Sequence, residues 1–248
     1  MWILACWIGA VAVLVFSQVA AAQGLVAFTG FSSKADPVAA AEEATQQVLE
    51  QFGKAGQALK AVIFLERTAE TSGEIGRRVG GRIKELAKVP VYGHGGNGFY
   101  GPTWGPEVKD QTPSFLVLGL GGDELSVKAH VTAGQAEYSW SKKLEDMPLH
   151  RKARESCYQR GREMGRQIGK LEKPGVVLLI GAHHNWWHTY YAQGMRQELG
   201  EGVPVVGGVG RFGDWVYCDG KELTGPDDKA TDVGMLALVI EGNIEVRV

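Results

Sequence analysis

Charge of one sign is what this sequence most plainly lacks. Its 26 Lys and Arg stand against 28 Asp and Glu, a formal charge of -2, with no basic block or acidic tail. The densest cationic stretch, Arg151 to Arg166, is interleaved with Glu155 and Glu163 on one predicted helix, so nucleic acid is not an expected partner. Cysteine is scarce too. Of the three, Cys6 falls in the N-terminal apolar stretch, which leaves Cys157 and Cys218 with room for one bridge. Cys157 also keeps helical spacing with Ala153, Gly161 and Met164, the pattern of a small core residue, and neither thiol has the cationic or helix-start setting of a nucleophile. There is no GxSxG elbow, no HExxH, and no serine or cysteine beside a histidine, so no catalytic residue is nominated. Between Gly134 and Pro148, the most plausible seam, there is no proline-rich or low-complexity linker, and a single packed domain is expected.

What is present begins with the first 22 residues, which carry no charge and end in Ala20-Ala21-Ala22 before Gln23. That ending fits a signal-peptidase site, so residues 1–22 are expected to be a leader and the protein to be exported, periplasmic or extracellular. The apolar stretch approaches the roughly 20 residues needed to span a bilayer, so retention as a membrane anchor stays open, and membrane contact is expected only in that case. The remaining chain can bury a substantial core, at 44% hydrophobic and 22% charged residues overall.

The sequence then makes nearly the same statement twice. Ala61-Val62-Ile63-Phe64-Leu65 leads through a helical stretch to Val89-Pro90-Val91-Tyr92-Gly93, a glycine-rich loop, and Phe115-Leu116-Val117-Leu118. Val176-Val177-Leu178-Leu179-Ile180 leads likewise to Val203-Pro204-Val205-Val206-Gly207, a second such loop, and Met235 to Val239. Offsets of about 115 residues link Ile63 with Leu178, Pro90 with Pro204 and Phe115 with Met235, too long for a solenoid. The expectation is an α/β fold with two similar βαβ-containing repeats, 24–120 and 121–248, fused in one domain over 23–248. Its sheets should be mixed, with hairpins, and its helices should lie on the sheets.

Within that plan, Leu25 to Phe28 reads as a strand, and Asp36-Pro37 caps a helix whose stripe Val38, Ala41, Val48, Leu49 and Phe52 ends at Gly53. Ala61 to Leu65 is a continuous apolar run suited to a buried parallel strand. Thr71 with Glu74 forms a capping box before Ile75, Val79, Ile83 and Leu86. Phe115 to Leu118 and Val127 to Val131 suggest a hairpin through Gly121-Gly122-Asp123. Arg151 to Leu171 and about Trp187 to Leu199 are the second pair of helices, the first with small residues allowing close approach to a sheet. Asp219-Gly220 predicts a tight turn between Trp215 to Cys218 and Lys221 to Leu223.

Three segments carry chemistry. Gly93-His94-Gly95-Gly96-Asn97-Gly98 has GxGxxG spacing, but Phe99 to Pro106 cannot start the helix that a dinucleotide site needs. What remains is a loop whose amides could hold a polar molecule. Its counterpart, Gly207 to Asp214, adds Arg211 and Asp214, which could orient a zwitterion or simply pair at the surface. His183-His184-Asn185-Trp186-Trp187-His188 follows the second half's first strand, where open α/β sheets bind ligands. The expected ligand-binding residues are thus His94, Gly95, Gly96, Asn97, His183, His184, Asn185, Trp186, Trp187, Arg211 and Asp214, with Trp104 and Trp215 flanking them. No cofactor or resident metal is assigned. The alternative is a metal-assisted hydrolase using His183, His184, His188 and His94. By contrast, Glu66-Arg67-Thr68-Ala69-Glu70 reads as a polar loop without aromatics.

The run Gly202-Val203-Pro204-Val205-Val206-Gly207-Gly208, then Gly213-Asp214, Trp215 to Cys218, Asp219-Gly220-Lys221 and Gly234-Met235-Leu236-Ala237-Leu238 with Gly242-Asn243, resembles the N-terminal domain of the FIST family. Gly30-Phe31-Ser32-Ser33 with Asp36-Pro37 and the following alanine-rich helix is similar to that family's start, so the resemblance covers essentially the chain after the leader. It implies a sensory domain that binds a small polar molecule such as an amino acid and feeds signalling modules, with no catalytic residues. Three features depart from the pattern. The family usually continues into a second domain, its members are commonly intracellular, and small polar residues are usual where His94-Gly95-Gly96-Asn97 stands.

Overall fold

Local chemistry sets the ends of the helices. Asp36 is extended (φ -79, ψ 119) and accepts the Ala39 amide, with proline next in line to open the first helix, α1, Pro37–Ala55. That helix closes at Gly56, which takes the left-handed φ of 63. The predicted stop at Gly53 is therefore corrected: Gly53 is a helix residue, and a side chain there would meet nothing within 4 Å. The second helix, α2, is Gly73–Ala87. The third, α3, spans Met147–Ile168 and ends before Gly169 at φ 70; the fourth, α4, spans His188–Leu199 and ends before Gly200 at φ 86.

The computed structural model describes residues 25–67, 73–96, 114–132, 147–181, 188–209, 215–219, 221–224 and 235–243. Within them the strands are β1 Val26–Ser32, β2 Leu59–Arg67, β3 Val91–Gly96, β4 Ser114–Gly121, β5 Ser126–Thr132, β6 Gly175–Gly181, β7 Val205–Val209, β8 Trp215–Cys218, β9 Lys221–Thr224 and β10 Met235–Glu241. They form a six-stranded sheet in the order β1-β4-β2-β3-β8-β9 and a four-stranded sheet in the order β5-β10-β6-β7. The fold is mixed α/β, as the sequence predicts.

Both sheets share one connectivity. In the first, β4 is antiparallel to β1 and β2 while β2 and β3 are parallel. In the second, β10 is antiparallel to β5 and β6 while β6 and β7 are parallel. Even single bonds correspond: the Val62 amide donates to Pro90 at 3.0 Å, and the Val177 amide to Pro204 at 2.9 Å. The halves are nevertheless not self-contained. The β8–β9 pair, from the second half of the chain, joins the first sheet through β3.

The predicted hairpin across Gly121 to Asp123 does not form. Both sides of β4 are already occupied by β1 and β2, so β5 has no place beside it and instead pairs with β10 in the other sheet. Gly122, at φ 120, carries the chain between sheets. The hairpin at Asp219 does form, with Cys218 opposite Lys221 and Asp219 at φ 39.

Three apolar clusters order the layers. One joins α1 and α2 to the six-stranded sheet through residues such as Val48, Phe52, Val79, Ile83, Phe64 and Phe115. A second, including Ile63, Tyr92, Val216, Ile180, Leu236 and Leu238, draws on strands of both sheets and on no helix, and lies between the sheets. The third joins α3 and α4 to the four-stranded sheet through Met164, Tyr191, Met195, Val177 and Ala237. The result is a four-layer sandwich of helices, sheet, sheet and helices.

Cys157 is buried in α3 and Cys218 lies on β8 of the six-stranded sheet, and no disulfide joins them, so the bridge left open by composition is not made. Gly161 also corrects an expectation, because it faces α4 rather than a sheet: a Cβ there would fall 2.0 Å from the Tyr191 carbonyl oxygen. Among the described residues no helix is long and apolar enough to cross a membrane. Residues 1–24, with the predicted leader, lie outside the described residues, as does Thr71 of the predicted capping box.

Candidate functional site

The registers place the carboxyl ends of β2 and β3 with the amino ends of β4 and β8 in the first sheet, and the carboxyl ends of β5, β6 and β7 with the amino end of β10 in the second; His94 on β3, near Gly181 on β6, brings the two sets to one edge of the sandwich. The connections 68–72, 97–113, 133–146, 182–187, 210–214 and 225–234 all begin or end at this edge. Asn97, His183, His184, Asn185, Trp186, Trp187, Arg211 and Asp214 belong to these connections and lie outside the described residues, as does Trp104. Their anchors do not. Gly96, Gly181, Val209 and Trp215 bring the predicted site segments to a common rim.

His94 binds the rim together. It lies on β3 opposite Leu65 and Val216, is 4% exposed, and shares a strand face with Tyr92, which belongs to the core between the sheets. From there its ring reaches the other sheet. Burial pushes its pKa down to about 4, while the nearby Gly181 backbone, at the end of β6, opposes that shift. The imidazole is therefore neutral at neutral pH. Two residues down the same face, burial raises the Tyr92 phenol to about 12. This seam disfavours charge.

The predicted glycine loop is corrected by the ladder. Gly93, His94 and Gly95 are strand residues held between β2 and β8, and Gly96 pairs with Arg67. Their backbone groups serve the sheet instead of standing free as an anion cradle. Gly93 has a packing reason: a Cβ there would come within 2.3 Å of the Phe64 ring, which is stacked on Phe115 with centroids 5.6 Å apart. Gly207, at the matching place in β7, has a backbone reason. Its φ is 143, and a Cβ would lie 2.0 Å from the Leu179 oxygen.

A second rim residue stands where the sequence predicts a loop. Glu66 is the eighth residue of β2 and 1% exposed. It lies in one register row, Ser32, Phe115, Glu66, Gly95 and Trp215, across the six-stranded sheet. Phe115 in that row packs on the helix side, so Glu66 and His94 occupy opposite faces of the sheet. The available signal was that Glu66 continues a buried apolar run without a turn residue between.

Metal chemistry finds little here. Among the described residues no group of three His, Cys, Asp or Glu is placed to hold a metal ion. His94 is turned into the inter-sheet seam, His183 and His184 lie outside the described residues, and His188 opens α4. No family model matches the chain, and no curated protein matches it.

Proposed function

We propose that this chain is an exported sensory-type domain that binds a small polar molecule, resembling the N-terminal FIST domain in its motifs, with the ligand held at the rim where the two sheets' strand ends meet. The observation that carries this reading is the nearness of His94, on β3, to the Gly181 backbone at the end of β6. Segments 97–113, 182–187 and 210–214 thereby start from neighbouring points. The tryptophans of 182–187 would cover the apolar part of a ligand, and Arg211 with Asp214 would meet opposite charges of a zwitterion. His94 acts as a positioning residue beneath the ligand, not as a contact to it. We also read the shared connectivity of the sheets as a duplication that set the two groups of strand ends side by side.

Thermal unfolding in the presence of amino acids and sugars tests the proposal. A ligand at a hundredfold over its dissociation constant should stabilise the fold by about 2.7 kcal/mol. The shift should vanish in Trp187→Ala and Arg211→Ala while the unliganded unfolding temperature stays near that of the wild type. Absence of any shift across both compound classes, with folded protein, would overturn it.

A further inference from the structure

Strand β1 closes one side of the six-stranded sheet, with β4 on its inner side and no described strand on its outer side. Such an edge offers a row of hydrogen-bonding groups to another chain unless something blunts it. The strand itself carries none of the usual devices of charge, proline or bulge. The strand Val-Ala-Phe-Thr-Gly-Phe-Ser has no charge and no proline, and its pairing with β4 runs residue for residue from Val26 to Ser32 without a bulge. Phe31 stands 41% exposed on it.

What occupies the outer groups is a pair of glutamines from α1. The Phe31 amide donates to Gln47 Oε1 at 2.9 Å, and Gln47 Nε2 donates to the Phe31 carbonyl at 3.0 Å. Gln51 Nε2 donates to the Thr29 carbonyl at 2.9 Å. A primary amide has the same donor and acceptor pair as a peptide unit, so Gln47 meets Phe31 as a neighbouring strand would. An edge of the four-stranded sheet shows a related contact. The outward carbonyl of Val205 on β7 accepts from Arg196 of α4 at 3.1 Å.

We propose that Gln47 and Gln51 are a strand surrogate that keeps this edge from pairing with β1 of a second copy of the chain. The second copy is the fitting occupant because the edge is self-complementary. A two-fold axis at Thr29 would set Ala27 against Phe31 in both directions, pairing the Phe31 groups that Gln47 now holds and covering the exposed ring with the partner's strand.

Analytical ultracentrifugation of the folded protein, across a wide concentration range, tests this. Wild type should sediment as a monomer, and Gln47→Ala/Gln51→Ala should show an about twofold rise in weight-average mass with concentration. Adding Thr29→Lys, which sets like charges opposite one another at the axis, should return it to monomer. A folded double variant that stays monomeric, or a dimer indifferent to Thr29→Lys, would overturn the proposal. If the double variant fails to fold, amide exchange at Phe31 in Gln47→Ala decides. Exchange should quicken at least about tenfold in dilute protein and slow again on concentration, and exchange that concentration leaves unchanged would overturn the proposal.

Discussion

His94 couples this fold to pH. Its folded pKa of about 4 lies below the usual 6.5, so as pH falls the unfolded chain takes up the proton first. The associated stability is full above pH 6.5 and is lost progressively down to pH 4, by an amount on the order of 3 kcal/mol. His130 is shifted in the same direction by burial and by Lys128, so the comparison must be between variants. Urea unfolding of His94→Gln should show a flatter pH dependence across that window than wild type. Glycines offer a second residue-scale contrast. Gly161→Ala and Gly194→Ala would drive a Cβ to 2.0 Å from the Tyr191 and Tyr158 carbonyl oxygens, costing about 1–3 kcal/mol by overpacking. Gly53→Ala meets open space inside α1 and should stabilise by about 0.4–1 kcal/mol. Urea midpoints of the three variants would show the opposite signs. The sequence marks these positions only as small; the neighbour's backbone decides which of them can grow.

Helix starts and stops were legible where one side chain does the job. Asp36 beside Pro37 is such a case, and the 2.7 Å bond from the Ala39 amide to Asp36 realises it. Asp36→Ala should lower stability by about 1 kcal/mol and Asp36→Asn by much less, measurable by thermal unfolding. Strand partners were less legible. The glycines at 121 and 122 looked like a hairpin turn, but whether two consecutive strands pair depends on which edges are already taken, and β1 and β2 hold both sides of β4. The sequence predicts loops at Glu66 and His94 for a similar reason. Polar residues usually end a strand, yet the ladder through Gly95 and Gly96 continues and buries both side chains.

At the scale of the molecule, the apolar layer between the sheets joins them into one unit. Leu236 and Leu238 on β10 meet Ala61, Ile63, Tyr92 and Val216 of the other sheet in that layer. Leu236→Ala should therefore cost about 2–5 kcal/mol. It should lower the unfolding midpoint equally when read by far-UV circular dichroism and by tryptophan fluorescence, since neither sheet retains a covered inner face alone. Separate transitions for the two probes would show that the sheets fold independently.

By itself the sequence determined the elements and their class. Continuous apolar runs such as Ala61 to Leu65 require strands covered on both faces, and stripes such as Val38, Ala41, Val48 and Phe52 require helices lying on them. Tertiary structure alone decided which sheet each strand joins and that His94 points into the seam toward Gly181. It also decided that Gln47 and Gln51 turn to the edge of β1. These are choices among partners far apart in the chain, and they follow from which faces and edges remain open once the other strands have packed.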